Sequence, residues 1–482
     1  MNELIKELEP KRVFYYFDKI SEIPRGSYNT QRISEYIASV GRSLNLNVYT
    51  DEIGNVIIKK EASKGRENDT GVILQGHMDM VCEKTLNSNH DFNNDGLKLF
   101  IDGDFLGAKN TTLGGDDGVA VCYMLALLED DSISHPTLEC VFTVDEEVGM
   151  LGAKALDVNA LSGKYLINLD SEEDGTIWAG CAGGITIRST FDLKKVSSEG
   201  IKADIILSGL AGGHSGSEID KEHMNASIIM GRICNDMFNI WPCRLVSLSG
   251  GNKDNAIPLF AKCTMLINPD DIDEINDFIK EYEIVLKEEA CLDDSNLSLT
   301  IDFDTQVICD VISEEDTKNI FFFLNLLPNG VFSMSSDVKG LVETSNNLGI
   351  LDISEKFLAE VSVRSSIATK KIMLANKIIM LTESIGGNIE ILGDYPAWEF
   401  KKESKLRDIM VDIYDKMYGK KPEVVVIHAG LECGYFASVR DDLDIVSIGP
   451  NMRDIHTTNE RLSISSTKKL YEYLIEVLAR IS

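Results

Sequence analysis

The sequence predicts an α/β fold that is split by an inserted domain. Two observations carry this reading. Short apolar runs of strand type alternate with helical stretches early in the chain, and the same texture returns near its end after a long stretch of different character. Strands alternating with helices imply a largely parallel sheet covered on both faces. A chain of 482 residues is also too long for one ordinary core, so two or three domains are expected.

In the first part, Arg32 to Leu46 has helical periodicity, and Val56–Ile58 and Val72–Leu74 are short apolar runs. Gly118 to Leu128 is a strongly apolar helix after a Gly-rich turn. Leu138–Val144 and Tyr165–Leu169 read as strands. After Gly183-Gly184 the texture changes. Amphipathic helices at Met224–Phe238, Ile272–Ala290 and Ala368–Ser384 recur among strands, and the length suits two small α+β units side by side. The last part regains the first texture. Val424–Ile427 and Ile445–Ile448 read as buried strands, and Ser466–Ile481 as a closing helix capped by Ser465 or Ser466. The expected boundaries are 1–184 and 395–482 for the split domain and 185–394 for the insertion.

Composition narrows the function. The net charge of -31 repels phosphate backbones and anionic lipid, so neither nucleic acid nor a membrane surface is an expected partner. The N-terminus lacks a basic stretch followed by an apolar one, which argues against a signal peptide. No apolar run is long enough to span a bilayer; Ile320 to Leu327 comes nearest and is interrupted by Asn325. The ten cysteines are scattered singly, as expected of reduced thiols in a cytosolic protein. A metal site here would have to be built from histidines and carboxylates.

The chemistry-bearing residues lie just past the carboxyl ends of predicted strands, where open α/β sheets place their ligand crevices. Val72–Leu74 leads into Gln75-Gly76-His77-Met78-Asp79-Met80. A neutral imidazole can ligate a metal while a carboxylate holds its other N–H; a histidine after a strand can equally be structural. Leu113-Gly114-Gly115-Asp116-Asp117-Gly118 opens the apolar helix. Asp117 suits a helix N-cap, whereas Asp116 lies in a tight glycine turn that can aim a carboxylate inward. The strand ending at Val144 delivers Asp145-Glu146-Glu147. Three adjacent carboxylates there raise one another's pKa unless a cation is present; one Glu can ligate while its neighbour serves as a base. Asp170 ends the next strand, and the last strand leads into a long loop carrying His456.

These motifs together resemble the co-catalytic di-zinc peptidase superfamily that also holds aminoacylases and glutamate carboxypeptidases. Gln75–Val81, Glu343–Gly349, His428–Gly434, Cys181–Gly184 and Gly212–Gly216 are similar to its aminoacyl-histidine (Xaa-His) dipeptidases, also called peptidase D or cytosol non-specific dipeptidases. The resemblance covers residues from about 75 to 460. It implies a mixed sheet flanked by helices with an inserted α+β lid. It also implies two divalent metal ions, expected to be Zn2+, with Mn2+ or Co2+ able to serve. Asp116 would bridge them, His77 and Asp170 would complete one site, and Glu147 and His456 the other. Asp79 would orient His77, and Glu146 would be the general base.

In the lid, the resemblance makes His214 an oxyanion donor and Arg364 the grip on a substrate carboxylate, with Asn255 also lining the site. The expected function is hydrolysis of unblocked dipeptides by a water activated between the two metals, in the cytoplasm, with a homodimer through the lid as a possible assembly. Asp rather than Glu at position 170 is similar to the aminopeptidase and dipeptidase members. The alternatives are an N-acyl amino-acid deacylase with the same metals and a catalytically silent metal-binding scaffold. Asp117 departs from the family pattern, which often has Asn there.

Overall fold

A computed structural model describes residues 5–482. The chain divides into two compact units. One comprises residues 1–181, 398–426 and 431–482, the other residues 182–397 and 427–430.

The first unit is built on an eight-stranded sheet. Its strands run in the order Asn47–Thr50, Val56–Lys60, Leu138–Thr143, Val72–His77, Tyr165–Asn168, Asp444–Ser447, Thr176–Cys181 and Glu423–Ile427. The four strands from Leu138–Thr143 to Asp444–Ser447 pair in parallel. Asn47–Thr50 and Val56–Lys60 are antiparallel to their neighbours, and Thr176–Cys181 is antiparallel to Asp444–Ser447. The expectation of a largely parallel sheet is corrected to a mixed one. Asn47–Thr50 and Val56–Lys60 are joined by five residues, too few for the crossover that a parallel pair needs. Glu423–Ile427 is the edge strand, and Val424 is exposed, so it is not the buried strand its apolar run suggested.

The central parallel strands are apolar and buried on both faces, as helices on each side require. Gly115–Glu129 is buried from Gly115 through Leu128. A helix apolar all round has no solvent face to offer; this one packs against the strand Val72–His77 and the helix Lys11–Ser21, and its Tyr123 stacks on Tyr471 of the closing helix. That closing helix spans Ile464–Arg480. Its cap is Ser463, whose hydroxyl accepts from the Ser466 backbone N–H, rather than Ser465 or Ser466. A small four-stranded sheet holds the hairpin of Met452–Arg453 and Arg461–Ser463 against Phe105–Ala108.

The second unit contains one continuous nine-stranded sheet, not two units side by side. All its recorded pairings are antiparallel. The long strands Lys195–Ser208, Ser298–Ile312 and Val342–Ile353 run across what looked like two modules, and one large apolar core draws on all three. Among the described residues, no helix is long and apolar enough to cross a membrane.

Candidate metal centre

The parallel strands of the first unit end at one edge, and their C-terminal residues carry the site. The strand Val72–His77 presents His77, and Asp79 follows it. Leu138–Thr143 leads to Glu146 and Glu147, and Tyr165–Asn168 to Asp170. Gly114 has φ 63°, a left-handed conformation natural to glycine, and turns the chain so that Asp116 faces this edge. His456 lies in the hairpin loop between Met452–Arg453 and Arg461–Ser463, itself at φ 60°.

Asp116 stands between two histidines. Its Oδ1 is 3.0 Å from His77 Nε2, and its Oδ2 is 3.0 Å from His456 Nε2. Asp170 Oδ1 lies 3.6 Å from His77 Nε2, and Glu147 Oε2 lies 3.1 Å from His456 Nε2. His77, Asp116 and Asp170 bring one ligand atom each within 4.8 Å of one another, and so do Asp116, Glu147 and His456. Glu146 joins His77 and Glu147 in a third such group.

This donor set fits two divalent cations. Nitrogen and oxygen donors without thiolate suit zinc, manganese or cobalt. Glu147 Oε1 is buried with no hydrogen-bond partner, a carboxylate oxygen that lacks only a cation. The electrostatics agree. Burial opposes charge on His77, but Asp170 and Asp116 outweigh it and raise its pKa well above the ordinary value. Hydrogen bonds to Asp116 and Glu147 push His456 up to about 11. Burial pushes Asp170 up to about 8 and raises Glu146 well above the usual carboxylate range. Crowded carboxylates force protons onto one another and onto their histidines, and divalent cations relieve the same repulsion.

A buried polar layer supports these side chains. Asp79 is fully buried. It lies 3.3 Å from His77 Nδ1 and accepts from the backbone N–H groups of Glu146 and Glu147 and from the Ser27 hydroxyl. Arg25, also buried, donates to the carbonyls of Met78, Asp79 and Gly114 and so ties the His77 loop to the Asp116 turn. Glu432 accepts from Gln75 and from Thr143, and Gln75 in turn accepts from Asn168, whose Oδ1 receives the Asp170 N–H. Asp117 is not a solvent-facing cap. It is fully buried, and its Oδ2 accepts the His77 N–H at 3.2 Å.

The inserted unit carries the remaining candidates. His214 Nδ1 accepts from the backbone N–H of Gly216 and of Ser217, at 3.2 and 3.1 Å. Two N–H donors aimed at Nδ1 leave the ring's proton on Nε2. Burial and Arg364 lower the His214 pKa, which keeps the ring neutral. Asn255 is exposed, and its carbonyl accepts the Ser215 N–H, so it braces the same turn. Arg364 donates to the Tyr395 hydroxyl at 2.9 Å, while its Nε is buried without a partner. Sequence reasoning missed His428, which bonds the Ser345 hydroxyl through Nε2 at 2.8 Å. Burial, with Arg364 and His214 nearby, lowers its pKa to about 3.

The profile of peptidase family M20/M25/M40 matches residues 73–480. The chain belongs to this family. Among M20 relatives, the cytosol non-specific dipeptidase of Escherichia coli K12 is 35% identical over 488 aligned positions, spanning 100% of this chain and 99% of that one. The crystal structure of aminoacylhistidine dipeptidase from Vibrio alginolyticus is 34% identical, with a TM-score of 0.91 over 100% of this chain and 99% of that one. An aminopeptidase from Bacillus cereus, 16% identical with a TM-score of 0.56 over 98% of this chain and 99% of that one, shares the fold alone. Membership bears out the resemblance read from the motifs, the peptidase class, and the mixed sheet with an insertion.

Proposed function

We propose that this M20 member is a metal-dependent dipeptidase that hydrolyses unblocked dipeptides, Xaa-His among them. The observation that carries the two-metal reading is Asp116, with one oxygen toward His77 and the other toward His456. The dipeptide reading rests on the full-length likeness to the two relatives named as dipeptidases. His77, Asp116 and Asp170 would hold one ion and Asp116, Glu147 and His456 the other, with Zn2+ the expected metal and Mn2+ or Co2+ able to replace it. When bound, such ions supply Lewis acidity, lowering the pKa of water toward neutrality and polarising a carbonyl.

Glu146 acts as the general base. It takes the proton of the attacking water and passes it to the leaving amine. Its carboxylate stands in one close group with His77 and Glu147. Asp79 orients His77 and fixes the backbone of Glu146. On the inserted unit, His214 donates from Nε2 to the developing oxyanion, and Arg364 grips the far carboxylate of the substrate. Asn255 holds the His214 turn. The inserted unit acts as a lid, and a homodimer through it is part of the proposal. The cytosol is the proposed location, in keeping with ten unpaired cysteines.

The test is hydrolysis of Gly-His, β-Ala-His, Leu-Gly and N-acetyl-Met by metal-stripped protein reloaded with zinc or manganese, alongside Glu146→Ala. Metal-dependent cleavage of the dipeptides alone, abolished by the substitution, is expected. Cleavage of N-acetyl-Met alone would make the protein a deacylase, and no cleavage at all would make it a silent scaffold.

A further inference from the structure

The carboxylate of Glu460 collects every backbone N–H of the turn that presents Asp116. Its Oε2 accepts from Leu113 and Gly114 at 2.7 and 3.0 Å, and its Oε1 from Gly115 and Asp116 at 2.7 and 3.4 Å. Glu460 is 3% exposed, so these bonds form away from competing water. The fit is close: a Cβ added to Gly115 would meet Glu460 Oε1 at 3.3 Å. Four converging donors specify an ionised acceptor, since a carboxylate offers about four lone-pair sites and no donor.

Glu460 belongs to the same hairpin loop as His456, and its own N–H closes a turn on the Thr457 carbonyl. His456 is 45% exposed at its side chain and sits in a loop, whereas His77 is the last residue of a buried strand. Asp454 and His456 both take left-handed φ values, 50° and 60°, which non-glycine residues keep only when the surroundings impose them. Beside the His456–Asp116 contact, Glu460 joins this loop to the backbone of the Asp116 turn.

We propose that Glu460 is a positioning residue: it locks the Asp116 turn to the His456 loop and thereby sets the affinity of the second metal site, that of Asp116, Glu147 and His456. The proposal rests on the two-ion reading above. The first site depends on it less, because His77 and Asp170 are held by the sheet and by Asn168.

Glu460→Gln is the discriminating variant. It keeps the volume, but its amide turns two donors toward two of the four N–H groups. Zinc uptake by metal-stripped wild type, Glu460→Gln and the control Glu147→Gln is followed by competition with a chelating dye, together with the melting temperature of each metal-free protein. Wild type is expected to take up two ions. In Glu460→Gln the second ion should bind ten- to a hundredfold more weakly, as typical for a lost outer-shell partner, with the first ion weakened far less. Unchanged affinity for both ions would overturn the proposal. Equal weakening of both, with a lowered metal-free melting temperature, would also overturn it by making Glu460 only a fold-stabilising residue. Wild type taking up a single ion would overturn the two-ion reading itself, an outcome distinct from the other two.

Discussion

Asp79 accepts the backbone N–H of Glu146 at 3.0 Å while its Oδ1 also lies 3.3 Å from Nδ1 of His77. One buried carboxylate thus reaches both the imidazole proposed as a metal ligand and the backbone of the proposed base. Removing it disturbs two functions at once. Asp79→Ala should weaken the His77-side metal by about ten- to a hundredfold and lower kcat at saturating zinc as well. Chelator competition and steady-state kinetics on the same preparation check this. Full kcat with zinc restored would show that Asp79 acts on the metal alone.

Glu432 gives a pH signature. Burial holds its folded pKa up to about 7, against an ordinary value of 4.5. Between those values the folded metal-free protein keeps a proton that the unfolded chain has released. The stabilisation is complete below pH 4.5 and is lost as pH rises through 7. The span corresponds to roughly 3 kcal/mol. Glu432→Gln, which keeps an acceptor for Gln75 and Thr143, should be more stable than wild type at pH 8 and no more stable at pH 4.5. Urea unfolding of the metal-free proteins at both pH values tests it; a difference independent of pH would refute it.

Gly76 lets the helix Gly115–Glu129 lie close against the strand Val72–His77. A Cβ there would meet Ala120 Cβ at 2.6 Å and collide with the Asp117 carboxylate. Gly76→Ala should cost about 1–3 kcal/mol by overpacking. It should also displace His77, which is next in the chain and bonded to Asp117. Denaturant melts and zinc stoichiometry are the measurements, and a variant as stable as wild type with both ions bound would contradict this reading.

His214 is set up as a neutral Nε2–H donor by the N–H groups of Gly216 and Ser217. If it serves the oxyanion, His214→Ala should lower kcat about 10²- to 10³-fold with a much smaller change in KM. A rise in KM alone would assign His214 to ground-state binding instead.

How much of this could be read from the sequence follows from what local pattern encodes. His77, Asp116, Glu147 and Asp170 were legible because each follows a buried apolar strand or opens an apolar helix, where a charged residue needs a reason. Glu460 was not. In Thr457-Thr458-Asn459-Glu460 it looks like any solvated loop carboxylate, and its burial depends on a turn more than 300 residues away. Arg25 and Glu432 were hidden for the same reason. The run Val424–Ile427 misled because four apolar residues do not distinguish a central strand from an edge. The insertion read as two units because its length suits two small α+β units, and local pattern does not reveal that its strands share one sheet.

The helix Gly115–Glu129 has a last consequence. It is buried along almost its whole length, and its N-terminal end carries Asp116, the carboxylate proposed to serve both metal sites. The backbone amides slowest to exchange with solvent should therefore lie within a few residues of the ligands. Stripping the ions should leave those amides protected, because hydrophobic packing holds the turn whether or not a cation is present. On the two-ion proposal, the ligands would then be placed by the fold itself, and metal uptake would be limited by dehydration and entry rather than by folding.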